Sequence, residues 1–271
     1  MVLVAPSAAL GSVQCHYSPA RLALSVTASG GSEATIRRAG PEIRVSESFE
    51  PPLTCASVPV TVTGVDSIEV IAKVDSSAWI ELAGGPFAPG ATAEADGSPE
   101  IEFTLSGADF AEVIGGRGAD HFKFLRCDGH NGVNLNANED NDLDVTVVEK
   151  NPAFFVAFNG GGGADLLDAG RNPGPSMFAV GGTGDDTLIA GGREAILLGE
   201  AGRDRIFGSP VGDLINPGRG ADLVKARGGA DALNLGPDHA RDRIDCGPGR
   251  DGFALPDPLD RLRSCEIDLV R

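Results

Sequence analysis

Three features of the sequence predict an all-β fold. Short runs rich in Val, Ile and Thr, such as Leu22–Thr27, Glu42–Val45 and Val58–Val62, are set off by Gly, Pro and Ser. No stretch carries the apolar period of a helix. From Gly160 the chain repeats every nine residues, a period that belongs to stacked short strands.

Taken in order, residues 1–11 are apolar and then rich in small residues. They read as the remnant of a secretory signal with Ser7-Ala8-Ala9 as its cleavage site, although no basic segment precedes them; an ordinary first strand is the alternative. Residues 12–99 form an N-terminal β-rich domain that ends in a Gly/Pro/Ala-rich loop. Residues 100–159 are a solenoid-like connecting region around Gly115-Gly-Arg-Gly-Ala-Asp120, and residues 160–271 are the repeat region.

The 271 residues carry a net charge of −17, from 39 acidic and 22 basic side chains. Without a basic run to neutralise phosphates, a nucleic-acid partner is not expected. Nor does any segment offer the roughly 20 apolar residues of a membrane-spanning helix. Acidity alone does not mark the repeats. Residues 1–159 hold 21 acids against 9 bases, and residues 160–271 hold 18 against 13. Spacing marks them.

The clearest unit is Gly181-Gly-Thr-Gly-Asp-Asp-Thr-Leu-Ile189, and five more follow without slip from Ala190, Gly199, Gly208, Pro217 and Ala226. Their sixth positions are Asp186, Ala195, Asp204, Asp213, Asp222 and Asp231. Their eighth are Leu188, Leu197, Ile206, Ile215, Val224 and Leu233. Looser units on either side supply Asp165, Asp242, Asp251 and Asp260.

This pattern resembles the hemolysin-type, or RTX, calcium-binding repeat, Gly-Gly-x-Gly-x-Asp-x-aliphatic-x. The closing segment 242–266 is similar to that of secreted actinobacterial members. The resemblance implies a right-handed parallel β-roll in which two units make one rung, with Ca²⁺ as cofactor. Its metal ligands would be Asp165, Asp186, Asp204, Asp213, Asp222, Asp231, Asp242 and Asp251.

The chemistry fits that expectation. Calcium takes six to eight hard oxygens, and glycine turns aim carbonyls inward beside the sixth-position carboxylate. One edge of the roll would stack Asp165, Asp186, Asp204, Asp222 and Asp242. The other would hold Ala195 and then Asp213, Asp231 and Asp251. Outward Ile196, Leu198 and Leu214 would form an apolar stripe.

No cysteine pair has zinc spacing, so disulfides are expected. Cys246 and Cys265 lie one rung plus one residue apart and should pair. Cys15–Cys55 is the second expected bond, with Cys127 left over. An alternating acidic series, Asn138-x-Asp140-x-Asp142-x-Asp144 then Glu149, has partial EF-hand spacing. It lacks the central glycine and reads better as a polar strand face. His-Glu-x-x-His and Gly-x-Ser-x-Gly are both missing. The sequence thus reads as a secreted calcium-binding module, structural or surface-interacting, without catalysis. Its partner would be an extracellular or cell-surface polysaccharide or protein. The rival reading is a polysaccharide-acting module using Glu100, Glu102, Asp109 and Glu112.

Overall fold

Side chains that alternate between core and solvent place each strand of this chain in one of two facing sheets. The computed structural model describes residues 12–47, 51–73, 75–82, 101–107, 110–127, 130–135, 145–148, 155–170, 176–254 and 256–268. Met1–Gly11, the Asn138–Asp144 series and Glu149 lie outside the described residues, as do Glu100 and Asp109.

The chain opens with two antiparallel pairs. β1 (Ser12–Ser18) pairs with β2 (Ala23–Ser29), and β3 (Glu33–Ala39) pairs with β4 (Glu42–Glu47). In β2 the fully buried residues are Leu24, Val26 and Ala28, every second one. After that the strands alternate between sheets. β5 (Ser67–Ala72) lies parallel to β2, whereas β6 (Ser77–Glu81) lies parallel to β3. β7 (Glu102–Ser106) continues the first sheet and β8 (Phe110–Ile114) the second. An antiparallel excursion follows, through β9 (His121–Cys127), β10 (His130–Asn134) and β11 (Val145–Val148), with β11 returning parallel to β7. β12 (Phe155–Asn159) rejoins the second sheet beside β8. Phe122 of β9 and Phe158 of β12 meet across the core, ring centres 5.8 Å apart.

From Leu166 onward the strands alternate strictly between the two sheets, and all but Ser176–Thr183 and Ala195–Ala201 are three residues or fewer. One column runs Leu166–Asp168, Thr187–Ile189, Arg205–Phe207, Leu223–Lys225, Arg243–Asp245 and Arg261–Arg263, all parallel. The facing column runs Ser176–Thr183, Ala195–Ala201, Leu214–Asn216, Ala232–Asn234 and Gly252–Ala254, also parallel. The sheets are continuous with the front half, so among the described residues they hold 13 and 11 strands.

Each three-residue strand from Leu166–Asp168 to Arg243–Asp245 buries its central side chain. Leu167, Leu188, Ile206, Val224 and Ile244 stack in one file, and Leu197, Ile215 and Leu233 in the other, all at most 2% exposed. Burying each contributes about 1.5–3 kcal/mol, but a single file per sheet is a thinner core than β2 or β5 provides. On the outer face Ile196 lies beside Leu214 and is half-buried, as is Leu198, while Leu214 is 46% exposed. No helix among the described residues is long and apolar enough to cross a membrane.

Both expected disulfides are present. Cys15–Cys55 ties β1 to the segment after β4, and Cys246–Cys265 joins neighbouring turns at the end of the stack with a Cα separation of 5.2 Å. In a chain-entropy model, closing a loop of 19 residues constrains the unfolded state by about 3 kcal/mol. Replacing Cys246 and Cys265 by Ser should therefore lower the stability measured by denaturant titration by about that amount. An unchanged midpoint would show that the last turns hold without the bond.

Candidate metal centre

The sixth-position aspartates are brought together in two columns, one at each lip of the paired sheets. All eight residues predicted as ligands are at most 5% exposed. The first column is a continuous chain of backbone-to-carboxylate hydrogen bonds. The Asp165 N–H donates to Asp186 Oδ1 (2.8 Å), Asp186 N–H to Asp204 Oδ1 (2.9 Å) and Asp204 N–H to Asp222 Oδ1 (2.8 Å). Asp222 N–H then donates to Asp242 Oδ1 (2.9 Å), and Asp242 N–H to Asp260 Oδ1 (3.0 Å). Asp120, in Gly115-Gly-Arg-Gly-Ala-Asp, heads the column: its N–H donates to Asp165 Oδ1 at 2.7 Å.

The second column starts where the sequence places alanine. Ala195 N–H donates to Asp213 Oδ1, Asp213 N–H to Asp231 Oδ1 and Asp231 N–H to Asp251 Oδ1. Glu266 Oε2 closes it by accepting from Asp251 N–H.

One oxygen of each carboxylate is thus spent on the next turn. The other is the informative one. Oδ2 of Asp165, Asp186, Asp204, Asp222, Asp231 and Asp251 is buried without a hydrogen-bond partner. An unpaired buried acceptor costs about 1–3 kcal/mol, and six of them recur, four in the first column and two in the second. The glycines show what space they face. A Cβ on Gly181 would lie 2.6 Å from Asp186 Oδ2 and 2.8 Å from the Gly199 carbonyl oxygen. The missing methyl leaves a cradle in which a carboxylate and a carbonyl of the next turn converge. Gly160 forms the same cradle with Asp165 Oδ2 and Gly181 O, and Gly199 forms it with Asp204 Oδ2 and Pro217 O. Fourth-position glycine serves a different purpose. Gly184 sits at φ +130°, and a Cβ there would overlap the Gly163 carbonyl of the preceding turn.

Not every predicted ligand is equivalent. Asp213 is saturated by its own turn: Ser209 N–H donates to Oδ2 (2.5 Å), and Ser209 Oγ lies 2.9 Å from Oδ1. The Asp222 and Asp231 units begin with Pro217 and Ala226, so a Cβ stands where the cradle glycine would be. Glycine and an unpaired Oδ2 occur together at Asp165, Asp186 and Asp204.

The last turns close without the glycine pattern. Asp238 accepts from Gly220 N–H (2.6 Å) and Ala240 N–H, and Asp257 accepts from His239 N–H and Leu259 N–H. These Asx-turns follow Pro237 and Pro256, a turn signal that could have flagged both aspartates. Glu102 and Glu112, paired in the rival reading, fall on β7 and β8 in different sheets. Burial, and then the Glu33 carboxylate, raises Glu112 above the ordinary carboxylate range.

Burial likewise pushes Asp204, Asp222 and Asp231 up to about 7, and Asp165 and Asp242 to about 6; Asp186 and Asp213 rise in the same direction. The N–H donor at each Asp pulls the other way. In the first column, neighbouring carboxylates add to the rise. Among the described residues no three His, Cys, Asp or Glu side chains converge on one point. A cation here would draw on one carboxylate and several backbone carbonyls per turn, a hard-oxygen set suited to calcium. Compared with protein-family models, with curated proteins and with solved structures, the chain matches none.

The cradle gives a direct prediction. Gly181→Ala together with Gly199→Ala should weaken cation binding at least tenfold, because each Cβ would fall within 3 Å of an Asp Oδ2 and of a carbonyl of the next turn, which must shift to admit it. Calcium titration by calorimetry, with circular dichroism as the fold control, checks this. Unchanged affinity would place the cation elsewhere.

Proposed function

We propose that this chain is an exported calcium-binding β-roll, a non-catalytic module that folds around Ca²⁺ and presents its outer faces to an extracellular partner. The observation that carries the reading is the row of buried, unpartnered Oδ2 atoms at Asp165, Asp186 and Asp204, each facing a glycine cradle with a carbonyl of the next turn. Calcium would supply the counter-charge that those carboxylates lack, and Asp222, Asp231, Asp242 and Asp251 extend the rows. Asp213 contributes less, being hydrogen-bonded within its turn. Two disulfides fit an oxidising compartment.

Metal binding and folding are linked here, since the apo turns stack like charges with only a thin core beneath them. Titrating the metal-free protein with CaCl₂ by calorimetry should show several sites filling with a gain of β signal in circular dichroism. No heat and no spectral change up to millimolar calcium would overturn the reading.

A further inference from the structure

Beside the first aspartate column runs a groove of about 660 Å³ on the outer face of the roll. Its walls are arginines: Arg203 and Arg205 from one turn, Arg241 and Arg243 from the turn two rungs on. Ala221 and Leu223 of the intervening turn form the floor. The register Arg205–Leu223–Arg243 fixes that order. With strands about 4.7–4.9 Å apart, the two guanidinium pairs lie roughly 9–10 Å from each other. Among the described residues these four exposed arginines have no carboxylate within ion-pair distance.

The groove's charge depends on what fills the column beneath. Its lining holds four arginines and four aspartates, Asp185, Asp186, Asp204 and Asp222, whose formal charges cancel when all are ionised. Each calcium bound at those turns adds two positive charges.

We propose that this groove is a binding site for an acidic polysaccharide, switched on by calcium in the column below it. The proposal rests on the calcium reading and names its partner. Guanidinium forks bind carboxylates and sulfate esters bidentately. Two pairs separated by an apolar floor suit a polymer whose charges are sparse, with a sugar ring seated on Ala221 and Leu223. Double-stranded DNA, with a charge per about 1.7 Å, fits this spacing poorly. The chain's net −17 also repels such a dense polyanion at long range.

The test titrates a hexamer of galacturonic acid into calcium-loaded protein freed of excess metal, with calcium affinity measured on every sample. The carboxyl-reduced hexamer, a short DNA duplex and phosphatidylserine vesicles are the comparison ligands. Arg203→Ser/Arg205→Ser/Arg241→Ser/Arg243→Ser is compared with Arg37→Ser/Arg38→Ser in β3. The uronate hexamer should bind the loaded protein and the β3 variant alike. Binding should weaken at least tenfold in the groove variant, whose calcium affinity stays within about twofold of wild type, and should vanish for the reduced hexamer and after chelation. Calcium binding without hexamer binding would overturn the groove alone, as would equal binding by the groove variant or a preference for duplex or vesicle. Failure of calcium to bind would overturn the proposal together with the reading it rests on.

Discussion

Adding a chelator to the calcium-loaded protein is expected to strip amide protection from residues 181–254 by at least a hundredfold, while β1–β6 change little. Each site filled at a hundred times its dissociation constant stabilises the folded state by about 2.7 kcal/mol. Three such sites approach the whole stability of an ordinary domain, about 5–15 kcal/mol. The repeat region has little else to replace that, since its three-residue strands between Leu166 and Asp245 each bury a single aliphatic side chain. The front half has a broader core, with Leu24, Val26, Ile36, Val45, Ile68, Val70 and Ile80 all essentially inaccessible, and a disulfide across it. Hydrogen exchange with and without chelator measures both regions at once. Chelator-insensitive protection throughout would mean that the aspartate columns only close turns.

The double substitution Asp204→Asn/Asp222→Asn should move two quantities in opposite directions. Without calcium the variant should be more stable than wild type at pH 8; with saturating calcium it should be less stable. Asn Oδ1 can still accept the N–H of the preceding turn. Its Nδ2 replaces an unpaired oxygen and, at Asp204, faces the same space as the Pro217 carbonyl. The apo gain follows from proton linkage. Asp204 and Asp222 are held up to about 7 in the folded chain, against 3.8 ordinarily. Between those pH values the folded state binds more protons than the unfolded state, so apo stability falls as pH rises from about 4 to 7 and is lowest above that. Replacing the two carboxylates removes that fall, a gain on the order of 2 kcal/mol per site once solvent screening is allowed for. Calcium competes with the same protons, so its affinity should rise over the same interval. Urea titrations at pH 5 and pH 8, each with calcium and with chelator, give all four stabilities. A variant less stable than wild type in chelator at pH 8 would contradict the electrostatic account.

The two columns of short parallel strands were legible because their information is local and repeated. An aliphatic residue in every eighth position and Asp in nearly every sixth fix inward and edge positions without knowledge of the rest of the chain. Both disulfides were legible too, Cys246–Cys265 from rung length. The continuity of the two sheets into residues 12–159 was not. There the strands pair across unequal separations, as from β5 to β7, and the β9–β11 excursion interrupts the alternation. Asp213 shows the limit of periodicity inside the repeats. Its position is in register, but Ser209 replaces a second-position glycine and supplies the donors that saturate the carboxylate. Glu266, Asp238 and Asp257 escaped the pattern because the terminal turns close through side chains, not through glycine.

The most direct measurement of the central claim is an anomalous-scattering map from crystals grown in calcium. Calcium should appear in the cradles of Asp165, Asp186 and Asp204, between each carboxylate and the carbonyl of the next turn, with none beside Ala195. An empty Asp204 cradle in a calcium-saturated crystal, or equal density beside Ala195 and Asp204, would contradict the account.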